Sequence, residues 1–384
     1  MRASTDHILS SNAGTLPRPA RLQQHFDAGA EGEGAYEDEL PAAVREVVAT
    51  QVEVGLDVVN DGEFSKRGGF QLYAPSRMSG IERRLVQPGE VEPHLRMNER
   101  DAMLFPTYYP SSSVATGGGG GFGPNPYFCV GPLSYTGGAT IAADIARLNS
   151  AVVGFDVEPY LPVVSPGNIE HWLWNKFYPD DESFLFAIAD MLHDEYKPIA
   201  DAGIIIQIDD PDLADGWQMF PSMEFADYRK YAELRIEALN HALRDIPEEL
   251  VRFHTCWGSL RGPHVNDIPL TEIVDVMLKV KAQCYSVEAA NARHEHEWRV
   301  WEDVRLPEGK LLMPGVVSHV TDHVEHPELV AWRIELYAGC VGRENVIAGT
   351  DCGMARVRPG EVCWAKLAAL AEGARLATKK LWQK

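Results

Sequence analysis

Short apolar runs rich in β-branched residues recur along the chain, and each gives way to Gly, Pro, Asp or another polar residue. His7 to Ser11 runs into Gly14-Thr15-Leu16-Pro17, Asp57 to Asn60 into Asp61-Gly62-Glu63, and Tyr127 to Val130 into Gly131-Pro132. Ile204 to Ile208 precedes Asp209-Asp210-Pro211, Leu250 to Phe253 precedes His254-Thr255-Cys256-Trp257, and Gln283 to Val287 precedes Glu288. Leu311 to Val317 leads to Ser318-His319, and Asn345 to Ala348 to Gly349-Thr350-Asp351-Cys352-Gly353. Helical patterns separate most of these runs: Pro41–Val54, Asp181–Ala202, Phe225–Leu243, Leu270–Lys281, Pro327–Gly339 and Val362–Leu381. Within Asp181–Ala202, Phe184, Ile188, Met191, Leu192 and Tyr196 fall at helical spacing. Strands buried on both faces read as continuous apolar runs, so eight of them alternating with helices predict a parallel sheet closed into a single (β/α)8 TIM barrel of the α/β class, one domain over residues 1–384. Long loop insertions are expected after strands 2 and 3, at Phe64–Tyr127 and Ala151–Asp180. The glycine run Gly117–Gly121 lies in the first; no Lys-Ser or Lys-Thr follows it, so it reads as a surface loop rather than a phosphate-binding loop.

Composition narrows the class. With 35 Lys+Arg against 56 Asp+Glu, the 384-residue chain carries a net charge of −21. That balance opposes nucleic-acid backbones and anionic membrane surfaces, so neither is an expected partner. Six cysteines without a CxxC fit a reducing compartment, and no secretory h-region or membrane-length apolar stretch is visible, so a cytoplasmic enzyme is expected. Self-association is left open.

The chemistry gathers where the apolar runs end. In a barrel these C-terminal ends face one mouth, where active sites are built. Turns alone account for Asp-Gly or Asp-Asp pairs, but not for His, Cys, Glu and Cys at successive strand ends. Residues i and i+2 of a strand point the same way, so His254 and Cys256 can converge above the barrel. Zinc takes such nitrogen and sulfur donors tetrahedrally; Cys352 is a candidate third ligand, and Glu288 or a nearby His a fourth. Cys129, Cys284, Cys340 and Cys363 sit within apolar or helical patterns and read as small buried hydrophobes.

Taken together, His254-Thr255-Cys256 and Gly349-Thr350-Asp351-Cys352-Gly353 resemble the zinc signature of the cobalamin-independent methionine synthase superfamily. Ala202 to Pro211 resembles that family's AG…QIDEP strand, with Asp210 where Glu is usual. Val130-Gly131-Pro132-Leu133-Ser134, Gly55 to Glu63, and Gly14-Thr15-Leu16-Pro17 resemble its TGP, G(L/I)D…DGE and GS(F/L)P elements. The resemblance implies a zinc site of His254, Cys256, Glu288 and Cys352, with Glu295, His294 and His296 as rivals for the third of these. It also implies that Glu63 and Asp209 hold the polar end of a small thiol. Zinc would bind that thiol as a thiolate near neutral pH, ready to attack an alkyl donor. His319, with an ordinary pKa of about 6.5, is the candidate catalytic acid; its competing reading is a structural His at a helix start.

The expected function is therefore zinc-dependent transfer of a methyl or other alkyl group to a small thiol, of the homocysteine methyltransferase type. Tyr135-Thr136-Gly137 replaces the Trp that follows the TGP element in methionine synthases, and Trp257-Gly258-Ser259 is closer to the epoxyalkane:coenzyme M transferase branch. Thiolate opening of an epoxide is accordingly the alternative. A metal-free, uroporphyrinogen-decarboxylase-like enzyme is the alternative of another class; it would require a basic mouth.

Overall fold

The computed structural model describes residues 1–384 apart from 68, 71, 91–97, 110–124, 259–261, 358 and 384. The glycine run and Ser259 therefore lie outside the described residues.

Eight strands form one parallel sheet that curls into a nearly closed barrel. In chain order they are β1 (Leu9–Ser10), β2 (Val58–Val59), β5 (Glu158–Val164), β7 (Ile205–Asp209), β8 (Val251–Thr255), β9 (Cys284–Val287), β10 (Leu311–Val317) and β11 (Ile347–Thr350). Each pairs in parallel with its successor from β2 onward, and β11 returns to β1 through Leu9↔Ile347 and Ser10↔Ala348. A single bridge between Ser11 and Val58 brings the β1 edge against β2. Every residue of β7, β8, β9 and β10 is buried. That is the physical reason these segments read as predominantly apolar runs: one side faces the barrel interior and the other faces helices.

One predicted strand is displaced. Tyr127–Val130 does not enter the barrel. It begins β4 (Tyr127–Tyr135), which runs antiparallel to β3 (Met78–Arg83) and parallel to β6 (Leu173–Asn175) in a three-stranded side sheet. Its burial is uneven, with Phe128 and Cys129 enclosed but Val130 44% exposed, as suits a sheet with one wet face. The third barrel place belongs to Glu158–Val164, inside the segment expected to be an insertion. Pro159 and Pro162 interrupt its apolar run and remove two N–H donors, so it does not read as a central strand, yet Tyr160 to Val164 pair with Ile205 to Asp209.

The six predicted helices form, although the first begins at Glu33 rather than Pro41 and the fourth ends at Met277 rather than Lys281. Asp180 caps Asp181–Asp201 by accepting from the Ser183 N–H at 2.7 Å, and Phe184, Ile188, Met191, Leu192 and Tyr196 are all buried along it. Burial of each such side chain contributes about 1.5–3 kcal/mol. Buried Arg77, just before β3, bonds Glu195 on this helix at 2.8 Å and Asp144 of the helix Gly138–Ala151 at 2.8 Å, fastening the side sheet to the barrel wall. No helix among the described residues is long and apolar enough to cross a membrane.

Candidate metal and thiol site

His254 lies near the end of β8 with its ring turned inward, and Cys256 follows two residues later. The imidazole Nδ1 bonds the Ser286 hydroxyl of β9 at 3.0 Å, fixing the ring. Nε2 is then buried without a hydrogen-bond partner among the described residues. Cys352, just beyond β11, completes a group in which one donor atom each from His254, Cys256 and Cys352 lie within 4.8 Å of one another. Hydrogen bonding from Cys256, against the effect of burial and with help from His254, holds the Cys352 thiol well below its usual range. Burial pushes His254 down, but Cys352 and Asp209 outweigh it and raise its proton affinity. The imidazole and the two sulfurs thus enclose a point that favours positive charge, and an N,S,S donor set of this kind fits zinc.

Glu288 stands beside this group rather than in it. Its Oε2 accepts from the Trp257 N–H at 3.0 Å and its Oε1 from Asn291 Nδ2 at 2.8 Å, while His319 Nδ1 lies 4.0 Å from Oε1. Glu288, His319 and Asp351 form a second, fully buried cluster with donor atoms within 4.8 Å. Asp351 accepts the N–H groups of Ala289 and Ala290, each at 2.7 Å, and so anchors the end of β9 to the end of β11. Gly315 permits this: a Cβ there would sit 2.1 Å from Asp351 Oδ1. Burial and the nearby Glu288 charge push Asp351 up to about 7, with His319 opposing. Both ring nitrogens of His319 are buried without a hydrogen-bond partner among the described residues.

The loops after β1, β2 and β11 supply the other wall. Met354 and Ala355 donate their N–H groups to the Thr15 carbonyl, at 2.7 and 3.0 Å, drawing the Cys352 loop onto the β1 loop. Glu63 accepts from the Thr15 hydroxyl at 2.8 Å and adopts φ 60, a left-handed conformation held by Asp61 Oδ1 accepting its N–H at 2.9 Å. A Cβ on Gly14 would lie 3.0 Å from Glu63 Oε1 and 3.5 Å from Gly353 Cα, so the glycine allows the three loops to meet. Asp209, at the end of β7, accepts from Gln207 Nε2 at 2.6 Å; burial pushes it up to about 7, opposed by His254 and reinforced by Glu63.

Sequence reasoning missed Lys66. It is buried, its Nζ is 3.5 Å from Glu63 Oε2 and donates to the Pro162 carbonyl, and it sits 4.7 Å over the Tyr73 ring. Its only sequence signal is its place three residues after Glu63. Ser286 and Asp351 were missed as well, although Asp351 directly precedes Cys352. The rivals for the fourth ligand are committed elsewhere. His294 is held by Glu297 at 2.8 Å and Asp267 at 3.1 Å and stacks on Trp257 with ring centroids 3.8 Å apart. Glu295 pairs with Arg333 at 2.7 Å, and His296 is exposed. Of the remaining cysteines, Cys284 and Cys363 are buried and pushed up to about 12 by that burial, as expected of inert core thiols.

Residues 173–375 match the family described as "Cobalamin-independent synthase, Catalytic domain". A methionine synthase of Saccharolobus solfataricus is 24% identical over 387 residues, covering 97% of this chain and 95% of its own. One of Pyrococcus abyssi is 24% identical over 224 residues, covering 58% of this chain and 57% of its own. A solved B12-independent methionine synthase of Shewanella sp. W3-18-1, in complex with selenomethionine, superposes with a TM-score of 0.75 at 21% identity, covering 98% of this chain and all of that one.

Proposed function

The chain belongs to the family of cobalamin-independent synthase catalytic domains, and from that premise we propose that it is a zinc-dependent methyltransferase acting on a small thiol of the homocysteine type. The observation that carries the reading is the convergence of the orphaned His254 Nε2 with the Cys256 and Cys352 sulfurs at one buried point. Zinc bound there would lower the pKa of a coordinated thiol and present it as a nucleophilic thiolate near neutral pH. His254, Cys256 and Cys352 are the proposed ligands, with Glu288 the fourth. In the orientation described, Glu288 is turned to Trp257 and Asn291, so serving as a ligand requires it to exchange those bonds for the metal.

The other residues take roles set by their positions. Glu63 and Asp209 lie on the wall beside Cys352 and are suited to an ammonium group on the thiol; Lys66 balances part of their charge. His319, enclosed with Glu288 and Asp351, is the proposed acid that supplies a proton to a leaving group. Residues 1–384 are taken as one catalytic barrel. Thiolate opening of an epoxide uses the same constellation and is the second reading, favoured by Tyr135-Thr136-Gly137 standing where the folate-using relatives carry a Trp. A polycarboxylate substrate fits poorly, because Asp61, Glu63, Asp209 and Asp351 surround this mouth.

The test is metal analysis of the purified protein followed by a screen of small thiols against methyl donors and epoxides. About one zinc per chain and turnover of a thiol with a methyl donor are expected; protein that turns over without any transition metal would overturn the reading.

A further inference from the structure

Arg252 precedes His254 by two residues on β8 and so projects on the same inward side, one layer deeper in the barrel. The register sets Gln207 beside Arg252 just as it sets Asp209 beside His254. The side chain is wholly buried. Nη1 donates to the Ser11 hydroxyl at 3.0 Å and lies 3.4 Å from Met313 Sδ, and the guanidinium stacks 3.9 Å over the Tyr160 ring. Nε and Nη2 have no partner among the described residues. Among the described residues, the other three buried arginines each have a carboxylate: Arg77 has Glu195 and Asp144, Arg235 has Glu170 and Asp212, and Arg333 has Glu295. Arg252 has none within ion-pair distance among the described residues.

An unpaired buried guanidinium is costly unless charge nearby offsets it. The layer above holds the His254–Cys256–Cys352 group together with the carboxyl groups of Asp209 and Glu63. Successive inward residues of a strand are about 7 Å apart. At that range a fixed charge still acts through a partly shielded interior.

We propose that Arg252 is a positioning residue that acts on the site purely by its charge: it disfavours the bare metal dication at the His254–Cys256–Cys352 group and favours the state that has gained an anionic substrate sulfur. The inference rests on the zinc–thiolate reading above. It makes an opposed pair of demands that a packing role does not: neutralising Arg252 should tighten zinc binding and weaken thiol binding.

The test compares the wild type with Arg252→Met, which keeps the buried aliphatic volume, and Arg252→Lys, which keeps the charge. Zinc affinity is measured by chelator competition, and L-homocysteine affinity by calorimetric titration of the zinc-loaded protein. For Arg252→Met, zinc is expected to bind about tenfold more tightly and homocysteine about tenfold more weakly, with Arg252→Lys near the wild type. Both constants weakening together, or neither moving, would overturn the proposal while leaving the zinc site intact. Failure of Arg252→Met to fold would also overturn it, since it would make packing the residue's first role. A wild type that binds no zinc would instead overturn the underlying reading, and this one with it.

Discussion

Raising the pH above neutrality removes a proton on which the packing beneath the site depends. His294 is 3% exposed, and both of its ring nitrogens face carboxylates, Glu297 at 2.8 Å and Asp267 at 3.1 Å. Burial favours the neutral ring, but these two bonds outweigh it and raise His294 to about 9. An unfolded His titrates at about 6.5, and a gap of that size corresponds to roughly 3 kcal/mol of stability carried by the charged ring. Because the folded value is the higher one, this contribution is fully present below about pH 6.5 and is lost as the pH rises through about 9. The ring also stacks on Trp257, whose N–H holds Glu288, so the effect reaches the site. The check is urea unfolding of the wild type and of His294→Phe, which keeps a ring against Trp257, at about pH 6 and about pH 9.5. The wild type should exceed the variant by roughly 3 kcal/mol at the lower pH and by much less at the higher one. An equal difference at both would refute a charged His294.

Cys256→Ser and Cys352→Ser should each purify with far less than one zinc per chain, as read by elemental analysis. Asp209→Ala and Glu63→Ala should keep zinc and bind the thiol more weakly in calorimetry; loss of metal in either would mean the ligand set is wrong. Arg77→Met leaves buried Glu195 with only the Tyr73 and Tyr135 hydroxyls, while Asp144 keeps Arg147, and denaturant unfolding should show a loss of about 3 kcal/mol.

Much of the fold was legible because a doubly buried strand leaves a plain trace. Leu311–Val317 carries no polar side chain and Ile204–Ile208 only Gln207, and both lie in the barrel. Glu158–Val164 was illegible for a local reason, since Pro159 and Pro162 break the run although the backbone still pairs. Tyr127–Val130 was misread because a half-wet strand of a side sheet looks, over four residues, like a barrel strand. At the site, His254, Cys256 and Cys352 could be chosen because strand ends share a mouth and i, i+2 residues share a side. The orientation of Glu288 could not: which way a carboxylate turns at a strand end depends on the Trp257 N–H and Asn291, and sequence spacing carries no such information. Lys66 and Arg252 were invisible because a buried cation in a loop or strand has no periodic signature; Glu63 and the Tyr73 ring reveal the first, Ser11 and the Tyr160 ring the second.

The central claim is that this site binds a substrate sulfur directly on zinc. X-ray absorption at the zinc edge, recorded on the zinc-loaded protein without thiol and with a saturating active thiol, tests it most directly. The two sulfurs of Cys256 and Cys352 should become three when the thiol is added, with about one proton released per site near neutral pH and the weaker oxygen donor, Glu288, giving way. An unchanged count of two sulfurs under conditions where the protein turns over would contradict the account and leave the metal a structural role.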